Sequence, residues 1–320
     1  MIDRDDVIAG YRLILGREPE NEAAIQNHMR ARDLQELRWT FIRSPEFRRD
    51  PLSRRVVSPP WVSRMLRRVM RNAGRRRVRI EECDFYHSMT FPDGSEVTGV
   101  WDLRTCFSDY IGGINLHGKT VLDVGTASGF VAFQCEKRGA MVTAHDMKSN
   151  SSAPHVPFAS SPYYNKYDDW LRDIDVSLAR MHNGFWYAHD KFDSRVKVIH
   201  APLSSLPRLI PPHDIVIAGA VIEHVSDPIS AIGHLSKLAK ETLVLASTPV
   251  IEAEDLLMKA ITTLNEPQYD YTWFAMSTGL LRRVLENVEF RVTKIGSSRH
   301  FFVPQKAWAD RPVLVILPAG

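Results

Sequence analysis

Apolar residues in the first fifty positions recur with a helical period. Val7, Tyr11, Ile14 and Leu15 share a face that stops at Gly16, and Pro19 opens a second helix through Ile25 and Met29. Leu34, Leu37 and Phe41 form a third stripe, after which Ser44 and Pro45 carry the pattern of an N-cap followed by proline in the first turn. Residues 1–50 therefore read as a small helical domain. Pro51, Pro59 and Pro60 punctuate a linker over 51–82, in which Val62 to Met70 has the pattern of a basic amphipathic helix.

From Asp84 the period shortens. An alternating segment to Phe91, the turn Pro92-Asp93-Gly94 and the stretch Ser95–Gly99 predict a hairpin. Trp101, Arg104, Phe107 and Tyr110 follow at near-helical spacing and are expected to pack. Short apolar runs then alternate with helical stripes. Strands are predicted at Thr120–Val124, Met141–Asp146, Val196–His200, His213–Gly219, Thr242–Ser247, Phe290–Ile295 and Val313–Leu317. Helices are predicted over about 129–138, ended by Gly139, and over a face of Leu171, Ile174, Leu178 and Met181 ended by Asn183-Gly184. Another covers Leu280, Leu281, Val284 and Leu285. This alternation, closed by a strand pair, predicts an α/β fold with a Rossmann-like seven-stranded sheet over 83–320, preceded by the hairpin and the N-terminal helical domain.

Composition narrows the class without changing it. An apolar content of 44% and a charged content of 25% suit a globular protein, and no apolar run approaches the roughly 20 residues of a membrane span. The N-terminus lacks the basic-then-apolar layout of a signal peptide, so a cytoplasmic protein is expected. Cys83, Cys106 and Cys135 have neither disulfide density nor zinc spacing, and no metal site is expected. The net charge is only +3, yet thirteen arginines fall between Arg43 and Arg79 against Glu46 and Asp50 alone. Such a run binds phosphate in RNA, in a nucleotide sugar or at an anionic membrane, or else it is a solvated linker helix.

Candidate chemistry centres on Thr120–Phe130. A β-branched strand carrying Asp123 ends at Gly125, and a helix starts after Gly129, which is a strand, a tight turn and a helix N-terminus offering backbone N–H groups to a ligand. The Asp-x-Gly-x-x-x-Gly spacing departs from that of pyrophosphate binders, so a nucleoside with a charged tail is expected. Asp146 closes the second strand about 20 residues further on, where a doubly wound fold grips ribose hydroxyls. Ala218 and Gly219 end the fourth strand with residues small enough for a ligand to approach the backbone. Asp214 is expected to help strand entry. His155, Tyr163, Tyr164 and His182, in or beside the insertion after Asp146, are candidate acceptor contacts or structural residues.

Three segments, Val121–Gly129, Val142–Asp146 and Ile215–Pro228 with its Glu-His-Val-x-Asp-Pro phrase, resemble class I S-adenosylmethionine (SAM)-dependent methyltransferases. The resemblance implies SAM as cofactor, held by Asp123, Gly125, Thr126, Ala127, Gly129, Asp146, Met147, Leu203, Ala218 and Gly219. Ala127 stands where the family often has glycine, and Pro202-Leu203-Ser204 lacks the acid or Asn common near adenine. His224, with Glu223 beside it, is the candidate general base; alternatively the pair packs against the SAM tail or caps the next helix. Pro92-Asp-Gly, Thr98-Gly, Gly118-Lys-x-Val-Leu-Asp-Val-Gly and Asn183-Gly-Phe look like the branch that alkylates tRNA wobble uridine and its sugar-cluster relatives. The phrases at 11–20 and 41–47 resemble a helical domain of phycobilisome linkers and bacterial cell-surface assembly proteins, which implies docking or homo-oligomerisation. O-methylation of a saccharide or related small molecule is the expected function. An RNA-modifying methyltransferase and a non-catalytic SAM-binding scaffold are the alternatives.

Overall fold

Unpaired amides at a helix start need an acceptor, and in each N-terminal helix a short polar side chain supplies it. Asp3, Asn21 and Asp33 accept from the amides of Asp6, Ala24 and Glu36, and so open α1 (Arg4–Gly10), α2 (Glu22–His28) and α3 (Leu34–Arg43). The computed structural model describes residues 2–15, 17–31, 33–44, 78–149, 167–261 and 272–319. It divides into two compact units, 1–76 and 77–320. In the first, Ile2, Val7, Tyr11, Ile25, Leu37 and Phe41 form the core, and Phe41 stacks on His28 with ring centroids 4.7 Å apart. The helix expected from Val7 to Leu15 continues past α1 as a wider turn over Tyr11–Leu15, and the second begins at Glu22, beyond the predicted Pro19. The linker helix at Val62–Met70 lies outside the described residues.

The second unit is built on one mixed sheet. Its strands are β3 (Trp101–Asp102), β4 (Thr120–Val124), β5 (Met141–Asp146), β6 (Lys197–His200), β7 (His213–Gly219), β8 (Ala239–Ala246), β12 (Phe290–Phe302) and β13 (Ala307–Pro318). They run in the order β3-β12-β13-β8-β7-β4-β5-β6, with β4 to β8 parallel and the last pair antiparallel. The seven predicted strands are all present, and β3 adds an eighth at the edge. Chain order reverses between β4 and β7, which opens a crevice at their carboxyl ends. Register aligns that crevice: Val124 lies opposite both Ala218 and His145, and Asp146 lies opposite His200. At the other end Asp214 accepts from the Thr120 amide at 2.8 Å and the Thr120 hydroxyl accepts from the Asp214 amide at 2.9 Å, tying β4 to β7 where the two strands start.

Helices cover both faces. On one lie α4 (Phe107–Tyr110), α5 (Phe130–Lys137) and α6 (Tyr167–Lys191), whose Phe107, Phe130, Phe133 and Phe185 pack on Val121 and Ile217. On the other lie α7 (Leu206–Leu209), α8 (Pro228–Leu238) and α9 (Thr278–Glu286), packed on Leu122, Val216 and Leu314. A small sheet of β9 (Val250–Ile251), β10 (Met258–Ala260) and β11 (Phe274–Ser277) follows β8. Cys83, Cys106 and Cys135 are buried free thiols, and among the described residues no helix is long and apolar enough to cross a membrane.

Three expectations need correction. Asn183-Gly184 does not end its helix, because α6 runs on to Lys191. A Cβ at residue 184 would collide with the Asp84 carbonyl, and the Asn183 side-chain NH2 donates to the Glu82 carbonyl at 2.9 Å, so the pair admits a neighbouring backbone where a stop was expected. Trp101 is in a strand paired with Phe302, which breaks the helical series expected from it to Tyr110. The terminal strands are 13 and 12 residues long, and their outer halves extend beyond the predicted apolar cores. The predicted hairpin forms as β1 (Met89–Thr90) and β2 (Glu96–Val97), and Lys191 of α6 holds Asp93 of its turn at 2.5 Å.

Candidate active site

The turn after β4 is fixed by sterics before any ligand enters. Gly125 and Gly129 have φ of +75° and +92°, in the left-handed region that penalises a Cβ. A side chain at Gly125 would meet Val221 at 2.7 Å, and one at Gly129 would strike Phe133 and Phe185. Ala127 also adopts a positive φ, +49°, so alanine holds the conformation a glycine would and the turn keeps its shape. The amides of Gly125 and Thr126 both donate to the His145 carbonyl at 2.9 Å, which joins this turn to the end of β5.

Two carboxylates flank that junction. Asp123, only 2% exposed, accepts from the Thr126 hydroxyl at 2.7 Å. Asp146 accepts from the amides of Ala127 and Met147, both at 2.8 Å. Burial pushes the Asp123 carboxyl up to about 7, with the Asp146 charge adding to it and the Thr126 hydroxyl opposing it. Burial likewise raises Asp146 to about 6, against the two amides. Among the described residues no cationic side chain is one of the groups that shift either acid. Negative charge that is costly when buried alone is the setting a positively charged ligand would relieve. A sulfonium and an α-ammonium carry such charge, so the donor set and the left-handed turn fit SAM.

The end of β7 differs from expectation in detail. Ala218 is fully buried, and the space a Cβ would take at Gly219 is filled by the Tyr110 hydroxyl of α4. Gly219 therefore admits a side chain from another element. Tyr110 is buried, and its hydroxyl is held well above the usual phenol range by burial, then by the charge of Asp123, with Glu223 contributing further. The phenol thus joins the two predicted parts of the site. Sequence reasoning missed this role because Tyr110 lies on an apolar stripe, and only the fold brings it to Gly219.

Beyond Gly219, Ile222–His224 form a helical turn before α8, which Asp227 caps by accepting from the Ser230 amide at 3.0 Å. Glu223 is buried and His224 half-buried. Trp273 fixes this turn twice, its amide donating to the Glu223 carbonyl at 2.7 Å and its indole to the His224 carbonyl at 3.2 Å. Capping of α8 belongs to Asp227, not to Glu223 or His224.

On the β5–β6 side, Leu203 packs with Val124, Ala218 and Ile222. Met147 follows Asp146, and its backbone also engages His182, whose ring lies 4.1 Å from that of His200. Burial and the neighbouring His200 push His182 down to about 4, so the imidazole is neutral at pH 7. Over the turn runs the segment before β1, where the Tyr86 amide donates to the buried Ser128 hydroxyl at 3.0 Å. The other acceptor candidates, His155, Tyr163 and Tyr164, lie outside the described residues.

Residues 103–295 match the methyltransferase-domain family. None of the curated proteins matches the chain. Among solved structures the chain is similar to magnesium protoporphyrin IX methyltransferase from Synechocystis PCC 6803 with bound SAM, at 16% identity, covering 66% of this chain and 76% of that one with a TM-score of 0.41. It is also similar to the N-terminal domain of EvdMO1 with S-adenosylhomocysteine and D-fucose, at 13% identity, 81% and 97% coverage and a TM-score of 0.45. A third is the 1,6-didemethyltoxoflavin-N1-methyltransferase of Burkholderia thailandensis, at 13% identity, 67% and 77% coverage and a TM-score of 0.40. The family match spans well over half of the sequence, and the chain belongs to the methyltransferase-domain family, as an enzyme that takes its methyl group from SAM.

Proposed function

We propose that the enzyme transfers the methyl group to a hydroxyl of a saccharide or related small molecule, with His224 as the base and Glu223 beside it. The observation that carries this is the doubly pinned turn. Trp273 holds the backbone of both residues at the carboxyl end of β7, so the half-buried imidazole stands on a fixed turn. When bound, SAM supplies an electrophilic methyl whose departure returns an electron pair to sulfur. His224 takes the hydroxyl proton as the oxygen–carbon bond forms. Asp123, Gly125, Thr126, Ala127 and Gly129 hold the methionine tail, while Asp146 accepts from the ribose hydroxyls. Met147 and Leu203 border adenine, and Ala218 and Gly219, the latter covered by the Tyr110 hydroxyl, end β7 beside the cofactor. The helical unit docks the enzyme to its assembly or to a second copy.

Mass spectrometry of saccharide acceptors after incubation with labelled SAM tests the acceptor class. His224→Ala is expected to lower kcat by about 10²–10⁴-fold with SAM affinity intact; full activity removes His224 from the mechanism. Asp146→Ala is expected to weaken SAM binding by about tenfold or more, as loss of hydrogen bonds to a charged group requires. Unchanged SAM affinity in that variant would sink the ribose assignment. A second acceptor class, RNA, is favoured by the thirteen arginines between Arg43 and Arg79, nearly all outside the described residues. Its signature is binding that weakens steeply with salt.

A further inference from the structure

The outer half of the β12–β13 hairpin projects past the sheet on the ligand side. Ala246, the last residue of β8, lies opposite Val313, so residues 307–312 of β13 continue beyond the carboxyl end of β8. At about 3.4 Å per residue, Trp308 stands about 17 Å past that edge. Its side chain is 52% exposed, unusual for the largest apolar residue type.

The neighbours of Trp308 define a surface. Phe301 lies directly opposite, with ring centroids 5.2 Å apart, and the Arg299 guanidinium sits 5.5 Å from the Trp308 ring centre. Arg299 in turn lies opposite Asp310, and period-two alternation puts all four side chains on one face. Arg299 and Asp310 are both exposed. Further along β13 that face carries Leu314, which packs in the same cluster as Ile222, the neighbour of Glu223. The platform therefore lies at the carboxyl end of the parallel strands, the end that also carries the proposed base.

We infer that this platform is a distal subsite for a neutral sugar ring of an oligosaccharide acceptor, an inference that rests on the saccharide assignment above. The apolar face of a pyranose stacks on an indole, while its rim hydroxyls both donate and accept. Arg299 offers a planar fork of donors and Asp310 offers acceptors, one on each strand beside the ring. A polyanion would meet the Asp310 carboxylate beside the ring. A lipid chain would need a contiguous apolar patch where two charges stand. The distance from the sheet edge selects acceptors longer than one sugar.

The test uses the full chain and neutral oligosaccharides of two to six hexose or deoxyhexose units against the matching monosaccharides, with binding followed by saturation-transfer NMR. Trp308→Ala is expected to weaken oligosaccharide binding about tenfold, Trp308→Phe less, and neither is expected to alter SAM affinity or monosaccharide binding. The subsite is overturned if the wild type binds none of the oligosaccharides, or if Trp308→Ala binds them as the wild type does. It is equally overturned if Trp308→Ala instead abolishes binding of poly-uridylate RNA or self-association measured by sedimentation. Methyl transfer is read separately. Trp308-dependent binding without transfer to any saccharide leaves the subsite standing and removes the saccharide acceptor; transfer whose kcat/KM is insensitive to Trp308→Ala does the reverse.

Discussion

Asp123 sits in the wrong solvent for its charge. Its carboxyl is pushed up to about 7 by burial, while in the unfolded chain it titrates near 3.8. Between those values the folded state holds a proton that the unfolded state has lost, so stability falls as pH rises from about 4 to 7 and levels off above. Asp146, raised to about 6, acts in the same direction over the lower part of that window. Asp123→Asn removes the larger burden and is expected to stabilise the protein at pH 8 by on the order of 2 kcal/mol, with little effect at pH 4.5, as read by urea unfolding. The same substitution is expected to weaken SAM binding, because the cationic ligand is what the charge is for. In the wild type, SAM affinity should rise from pH 5.5 to 8 with proton release on binding, measurable by calorimetry in buffers of different ionisation enthalpy. A flat profile would show that neither acid meets the ligand's charge. Both acids were legible in the sequence because strand ends and spacing are local properties. Tyr110 was not, since its chemistry arises only where α4 crosses the end of β7 and its hydroxyl fills the vacancy at Gly219.

Among the elements, α6 shows how a local signal misleads. Asn-Gly after an apolar stripe is a strong stop, and glycine inside a helix costs about 0.5–1 kcal/mol relative to alanine. The helix passes through because its next turns bury Phe185 and Ala188, and because that face receives the segment before β1. Arg180 binds the Asp84 carboxylate at 3.0 Å and the Glu81 and Cys83 carbonyls at 3.2 Å, with Asn183 on Glu82. That segment then places the Tyr86 amide on Ser128 of the glycine turn, so α6 supports the ligand site at one remove. Gly184→Ala should therefore reverse the usual helix rule. Propensity alone favours alanine, but its Cβ would fall on the Asp84 carbonyl, and a loss of about 1–3 kcal/mol is expected by urea unfolding, with weaker SAM binding. A gain in stability would mean that the segment moves aside freely. The strands were read more accurately than this helix because β4, β5 and β7 are buried, β-branched and bounded by turn residues, whereas the outer hairpin of β12 and β13 mixes polar and aromatic positions without an apolar run and is held by strand pairing.

At the scale of the whole chain, sequence periodicity and tertiary structure agree on a helical unit followed by an α/β unit, and the acceptor question divides along the same line. Among its described residues the first unit buries six hydrophobic side chains in its core, while the glycine turn, both carboxylates, the Trp273-pinned turn and the Trp308 platform all lie in the second. Nearly all of the arginine run precedes residue 77. A fragment of residues 77–320 therefore separates the acceptor classes by construction. If the acceptor is a saccharide, the fragment is expected to bind SAM with the affinity of the full chain and to keep methylating that acceptor, because every residue assigned to the reaction is retained. If the acceptor is RNA gripped by the arginines, the fragment is expected to lose RNA affinity and to show a shallower dependence of binding on salt, by about 0.7 in the log–log slope for each phosphate contact removed from a single strand. Should the fragment bind SAM yet fail on saccharides while the full chain succeeds, the N-terminal unit would be a working part of the acceptor site, and the role proposed for it in docking would have to give way.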